Sequence, residues 1–168
     1  MKKQIADRQG DVTLVSTDMR AKDVLAKFGK HAVKADARNR VVLAEGEVTG
    51  HAHALKNEGV TLLRPPHLPV GHALLVVTET TIERGSFIEG RVIGTMPGGT
   101  VRFRQTDGVV MRFAPGDVTV KGDNGVVVNR AYSPLVHDEH DAIPVSKGVH
   151  KIIQHQTAEM QGRLRVAD

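Results

Sequence analysis

Glycine-rich turns interrupt residues 72–130 at short intervals, and this pattern restricts the fold more than any other feature of the sequence. Pairs such as Asp107 with Gly108 and Asn124 with Gly125 accept positive φ angles and are typical of β-hairpins. The segments between the turns are rich in valine, whose branched side chain favours strands. They predict strands at 73–83, 86–93, 100–105, 109–113, 117–121 and 125–130. We therefore expect an antiparallel meander within an all-β sandwich or small barrel.

The two ends of the chain carry further strand patterns and one helix. Apolar residues at helical spacing predict a short helix over 18–28, with Asp18 as its N-cap and Gly29 after its end. The sequence further predicts a turn and a strand within 9–17, strands at 41–44, 60–63 and 149–155, and an extended segment at 143–145. One interpretation joins 1–69 and 132–168 into one β-unit, with 70–131 inserted as a second. The alternative is a single domain over 1–168.

Composition limits the kinds of site the chain can carry. The 168 residues include no cysteine, which excludes disulfides and thiolate metal ligands, so a metal would be held by His, Asp, Glu or water. No secretory leader and no apolar run of about 20 residues is visible, so we expect a cytoplasmic protein without membrane contact. The net charge of +4 permits nucleic-acid binding without requiring it.

Two histidine pairs form the one constellation that indicates chemistry. His51 and His53 share a face if the segment is a strand, and His137 and His140 converge if theirs is a tight turn. Converging imidazoles favour a site for Zn, Mn, Fe or Ni, with all four histidines as candidate ligands. Glu58 and Glu139 are the candidate catalytic carboxylates, because a carboxylate beside a metal-bound water is a common hydrolytic arrangement. The alternative interpretation is that these are sheet-face histidines with ordinary hydrogen-bond partners.

The first pair resembles half of a known motif. His51, His53 and the later Glu58, preceded by Gly46, are similar to the first cupin motif, although the glycine is one residue too close and Pro65 stands where the motif has a second glycine. The second cupin motif is not intact, and its histidine would come from His137, His140 or His150. The resemblance implies a cupin-like small β-barrel with a metal ion in its mouth.

The chain also resembles a group of short uncharacterised bacterial proteins. The similar segments are 9–12, 46–53, 137–140 and 149–156. The meander at 70–131 is longer than expected for that group, which favours its being an insertion. No activity follows from this resemblance.

Three functions remain open from the sequence. The first is a divalent-metal-binding β-barrel protein, with enzymatic activity and a small-molecule ligand left open. The second is a self-assembling structural protein, for example a capsid-associated one, and exposed strand edges favour a homo-oligomer. The third is a nucleic-acid-binding accessory protein using arginines such as Arg102 and Arg104, although stacking aromatics are scarce.

Overall fold

The computed structural model of the chain describes residues 6–45 and 51–155. It confirms the prediction of an all-β chain with one short α-helix. The helix α1 is Ala21–Phe28, followed by a 3-10 turn at Gly29–His31. The strands are β1 Ala6–Gln9, β2 Val12–Ser16, β3 Arg40–Glu45, β4 Ala52–Lys56, β5 Val60–Leu63, β6 His72–Val77, β7 Phe87–Thr95, β8 Val101–Gln105, β9 Val110–Phe113, β10 Val118–Lys121, β11 Gly125–Val128, β12 Ser133–Leu135, β13 Ile143–Val145 and β14 Gly148–Gln154. No described helix has the length and apolar character needed to cross a membrane.

The first sheet contains five antiparallel strands in the order β1-β2-β14-β6-β5. Strand β14 lies at its centre, where Ile152 pairs with Leu14 on one side and with Ala73 on the other. All three side chains are buried, and they form part of the main aliphatic core. Strand β6 belongs to this sheet although it lies within the segment 70–131. The division of the chain into two units stays a prediction.

Helix α1 covers the opposite face of this sheet, where Val24 packs with Leu63, Leu74 and Val76. The helix begins later than the sequence predicts, and Asp18 is not its N-cap. Arg20 holds that position, with extended backbone and no side-chain capping bond. The reason is that Thr17 is still tied to the sheet through its N–H and its hydroxyl, both of which donate to the Val149 carbonyl. The chain can turn into a helix only after leaving that strand.

The second sheet contains five of the six strands predicted for the meander, in the order β10-β11-β7-β8-β9. The sixth, predicted at 73–83, is β6 of the first sheet, and β11 pairs back with β7. The buried face of the second sheet carries the chain's aromatic core, including Phe103, Phe113 and Tyr132. Both five-stranded sheets of the described residues are open, so the fold is sandwich-like and not a closed barrel.

Two short hairpins position the histidines. Strands β3 and β4 form one, and β12 and β13 form the other. Ala54 and Val136 exchange backbone hydrogen bonds of 3.0 and 2.9 Å, which join the hairpins. At the other end of the segment 137–141, the Ala142 N–H donates to Val110 and its carbonyl accepts from Arg112, both at 2.8 Å. A five-residue loop is therefore fixed at both ends, against β4 and against β9.

Candidate metal centre

The structure brings all four predicted histidines together. His137 is central: its ring centroid is 4.3 Å from that of His53, 4.7 Å from that of His140 and 6.1 Å from that of His51. The rings of His53 and His140 are also 6.1 Å apart and nearly parallel. We call His51, His53, His137 and His140 the histidine cluster. Its two halves are more than 80 residues apart in the chain, so the fold and not local sequence creates it.

Three side chains offer ligand atoms close enough to converge on a metal ion. Nitrogen or oxygen atoms of His137, Glu139 and His140 all lie within 4.8 Å of one another. Ligands of a tetrahedral zinc ion, about 2.1 Å from the metal, are about 3.4 Å apart, so each separation in the set has to shorten by at most about 1.4 Å. His137 is buried, whereas Glu139 and His140 are exposed. The two exposed side chains are free to make that movement.

His51 lies beside this group and faces its carboxylates. Its Nδ1 is 3.3 Å from Glu139 Oε1, and its Nε2 is 3.7 Å from Asp138 Oδ2. The closer contact lacks hydrogen-bond geometry, and within the described parts of the chain the buried Nδ1 has no other partner. Buried nitrogens are normally hydrogen-bonded, so a partner for Nδ1 is to be expected.

His137 carries a second unsatisfied ring nitrogen. Its Nδ1 accepts a 3.0 Å hydrogen bond from the Glu139 backbone N–H, while its Nε2 is buried without a partner. Burial and then the neighbouring His140 lower the pKa of His137, which favours the neutral ring. With Nδ1 accepting, the proton of the neutral ring is on Nε2. Among the described residues, three buried side-chain polar atoms lack partners, and two of them belong to this cluster.

His53 is the most deeply buried member of the cluster and is held by two side chains outside it. It is 1% exposed, its Nδ1 is 2.8 Å from Gln9 Oε1, and its Nε2 is 2.9 Å from Asp11 Oδ1. Burial, and next the charge of His137, lower the pKa of His53, whereas the Asp11 carboxylate raises it. The amide oxygen can only accept, so Nδ1 of His53 donates to it, and Nε2 faces the Asp11 carboxylate. Both nitrogens of His53 are therefore engaged within the chain.

Gln9 joins His53 to the histidine-bearing loop. Its side-chain amide is 1% exposed, and Nε2 donates to the carbonyls of Leu135 at 2.9 Å and Asp141 at 3.0 Å. These two bonds use both amide hydrogens, which turns Oε1 toward His53. The loop is held from its outer side by Arg102, which makes two hydrogen bonds of 2.7 and 3.1 Å to Asp141. That guanidinium holds the pKa of Asp141 below its usual range.

Gly10, in the turn between β1 and β2, makes room for His140. Its φ of +56° is in the left-handed region, which glycine adopts without strain. A Cβ at this position would lie 2.6 Å from His140 Nε2. A larger residue would therefore displace a candidate ligand.

The predicted carboxylates have different positions. Glu139 lies in the cluster, as described above. Glu58 is exposed in the bend between β4 and β5 and does not belong to the set of converging ligand atoms. Gly46, used in the cupin resemblance, lies outside the described residues, and His150 is in β14, bonded to Ser146.

Sequence reasoning missed Gln9 and Asp11, the two residues that hold His53. The available signal was the segment 9–12, which carries one of the resemblances to short bacterial proteins. Neither a glutamine nor an aspartate beside a turn glycine indicates a buried role by itself, because both are common in exposed turns.

Comparison with known proteins gives one match. Residues 8–83 match the family model described as Domain of unknown function (DUF8820). The matched segment includes Gln9, Asp11, His51 and His53 and ends before the second histidine pair. No curated protein and no solved structure matches the chain.

Proposed function

We propose that this chain binds one divalent metal ion at the histidine cluster. The ligands are His137, Glu139 and His140, with His51 at a fourth position. The observation that carries this proposal is the convergence of three ligand atoms within 4.8 Å. It is supported by the unpartnered buried nitrogens of His51 and His137. A metal ion bound to His51 Nδ1 and His137 Nε2 would satisfy both, once the His137 ring proton has moved from Nε2 to Nδ1.

The ligand set restricts the kind of metal. Imidazole nitrogens with a carboxylate oxygen suit Zn, Mn, Fe and Ni, and the absence of sulfur ligands disfavours Cu(I). Because Glu139 and His140 are exposed, one side of the ion would face solvent and could accept a small molecule. Glu139 acts as a ligand in this arrangement, and not as the catalytic carboxylate that the sequence predicts.

His53 is a positioning residue in this proposal. Both of its nitrogens are bonded, to Gln9 and to Asp11, so ligation would break one of those contacts. Residues that orient ligands through such contacts affect metal affinity strongly without touching the metal. We expect His53 to keep His137 in place by ring contact.

Metal binding must rearrange one hydrogen bond. If His137 binds through Nδ1, the metal replaces the Glu139 N–H. If it binds through Nε2, the ring proton moves to Nδ1, which then cannot accept from that N–H. In both cases the Glu139 backbone N–H loses its acceptor. The Glu139 amide proton should therefore shift in NMR spectra and exchange faster with solvent in the metal-bound protein.

Titration of tag-free protein with Zn²⁺, Mn²⁺, Fe²⁺ and Ni²⁺ tests the proposal. We expect one ion per chain for at least one metal, and at least about tenfold weaker binding after Glu139→Gln or His140→Ala. His72→Ala is the matched control, because His72 lies on β6 outside the cluster and its change should leave affinity unaltered. Equal affinities in all variants, or no stoichiometric binding, would overturn the proposal.

The other two functions stay predictions, as does the homo-oligomer. Part of the positive charge on the strands of the second sheet is neutralised within the chain, because Arg102 pairs with Asp141 and Arg112 lies 3.4 Å from Asp7. No contact among the described residues favours nucleic acid over metal as the ligand.

A further inference from the structure

A second polar site lies in a cleft between the two five-stranded sheets. Its volume is about 80 Å³, and no residue of the histidine cluster lines it. Leu14 and His150 come from the first sheet, Tyr132 belongs to the core of the second, and Asp117 and Arg130 complete the polar part of the lining. A water-filled cleft would need several polar partners, and a dry one would be apolar throughout. This one is mixed.

Tyr132 supplies a donor without an acceptor. The residue is 2% exposed, and its hydroxyl has no hydrogen-bond partner among the described residues. Its ring is fixed by an edge contact with Phe113, at 5.6 Å between centroids. Burial raises the pKa of the hydroxyl well above its ordinary value, so it stays protonated. A buried tyrosine hydroxyl normally finds a partner, so a group outside the described residues is expected to accept this hydrogen bond.

His150 supplies an acceptor. It is 5% exposed, and its Nε2 donates a 2.7 Å hydrogen bond to the Ser146 carbonyl. Burial lowers the pKa of the ring, which favours its neutral form. Nδ1 of that neutral ring is then a lone-pair acceptor.

Each charged side chain that lines the cleft is paired with a side chain of opposite charge. Arg130 Nη1 lies 3.8 Å from Asp117 Oδ1, while Asp117 Oδ2 accepts from the Ala114 N–H. The carboxylate of Asp7, which also lines the cleft, is paired with Arg112. A charged ligand would therefore leave one charge without a counter-charge, at a cost that grows with burial.

We propose that this cleft binds a small neutral molecule carrying a hydroxyl or primary amide group. The Tyr132 hydroxyl is fully buried, so the molecule reaches it only after a small movement of the cleft lining. It then accepts from that hydroxyl and donates to His150 Nδ1 or Asp117. A cavity of about 150 Å³ holds benzene, so about 80 Å³ suits a ligand of roughly three to six non-hydrogen atoms. This site is independent of the metal centre.

The single tyrosine of the sequence gives a direct assay, because its ring signals in NMR spectra need no assignment. The probes are 1,2-propanediol, glycerol and acetamide, compared with acetate and methylammonium of similar size. We expect saturable shifts of the Tyr132 ring signals with at least one neutral probe and no saturable shift with the charged ones. In Tyr132→Phe, followed through the His150 ring signals, binding should weaken at least tenfold. His150→Gln should do the same, and the control His72→Gln should not.

Ala114→Leu gives a second test that leaves both polar groups intact. Ala114 lines the cleft, so the larger side chain should occlude it and abolish binding. The absence of any saturable shift at about 100 mM probe would overturn the proposal and leave water as the partner of Tyr132. Stronger binding of either charged probe, or unchanged binding in Ala114→Leu, would also overturn it.

Discussion

Replacing Gln9 by leucine tests whether this buried amide holds the candidate metal centre together. The substitution keeps most of the side-chain volume but removes three hydrogen bonds, to His53 at 2.8 Å, Leu135 at 2.9 Å and Asp141 at 3.0 Å. A buried polar group that loses its partner costs about 1–3 kcal/mol. The Asp141 carbonyl is only partly buried and can turn to water, so we expect a total loss of roughly 3–5 kcal/mol. For a domain of this size, that lowers the Tm by about 10 °C.

Urea and thermal unfolding of Gln9→Leu measure this loss. Gln105→Leu is the matched control, because Gln105 lies on β8 and makes no side-chain hydrogen bond among the described contacts. The control should change stability by no more than about 0.5 kcal/mol. Gln9→Leu should also bind metal more weakly, because the segment 137–141 is then no longer connected to His53 through the Gln9 amide. If Gln9→Leu were as stable as the control, the proposed structural role of the Gln9 hydrogen bonds would be refuted.

Two further changes test other parts of the account. Gly10→Ala should cost about 1–2 kcal/mol through its left-handed backbone, and should also weaken metal binding because its Cβ displaces His140. Gly108→Ala, with φ of +93° and no neighbour, should destabilise without affecting the metal. Burial lowers the folded-state pKa of His150 below 6.5, so the unfolded chain binds more protons. The contribution of neutral His150 to the free energy of unfolding is complete above about pH 6.5 and declines as the pH falls toward the folded-state pKa. In urea unfolding measured across this pH range, His150→Gln should remove that part of the decline.

Strand positions could be predicted because their signals are local. Each strand predicted between 72 and 130 overlaps an observed one, since valine-rich runs between glycine turns determine hairpins over a few residues. Strand β1 was missed because Ala6–Gln9 has no alternating apolar pattern. It pairs with β2 across the tight turn at Gly10, and its inward side chain is the polar Gln9.

The candidate site could be predicted only in part. The spacing of His51 with His53 and of His137 with His140 indicated converging side chains, and the structure places all four together. The roles within the cluster depend on contacts over long separations. Gln9 meets Leu135 and Asp141 at 126 and 132 residues distance, which no local pattern reveals. Glu58 was chosen from a motif spacing, and the extended strand β4 takes it away from the cluster.

Anomalous diffraction from crystals grown with the divalent ion that binds most tightly in the titration, recorded at the absorption edge of that ion, locates the proposed metal. We expect one strong peak within about 2.1 Å of a ring nitrogen of His137, a ring nitrogen of His140 and a carboxylate oxygen of Glu139. His53 should remain bonded to Gln9 and Asp11 in the same crystals. A cluster without an anomalous peak, or a metal ion bound elsewhere on the chain, would contradict the account.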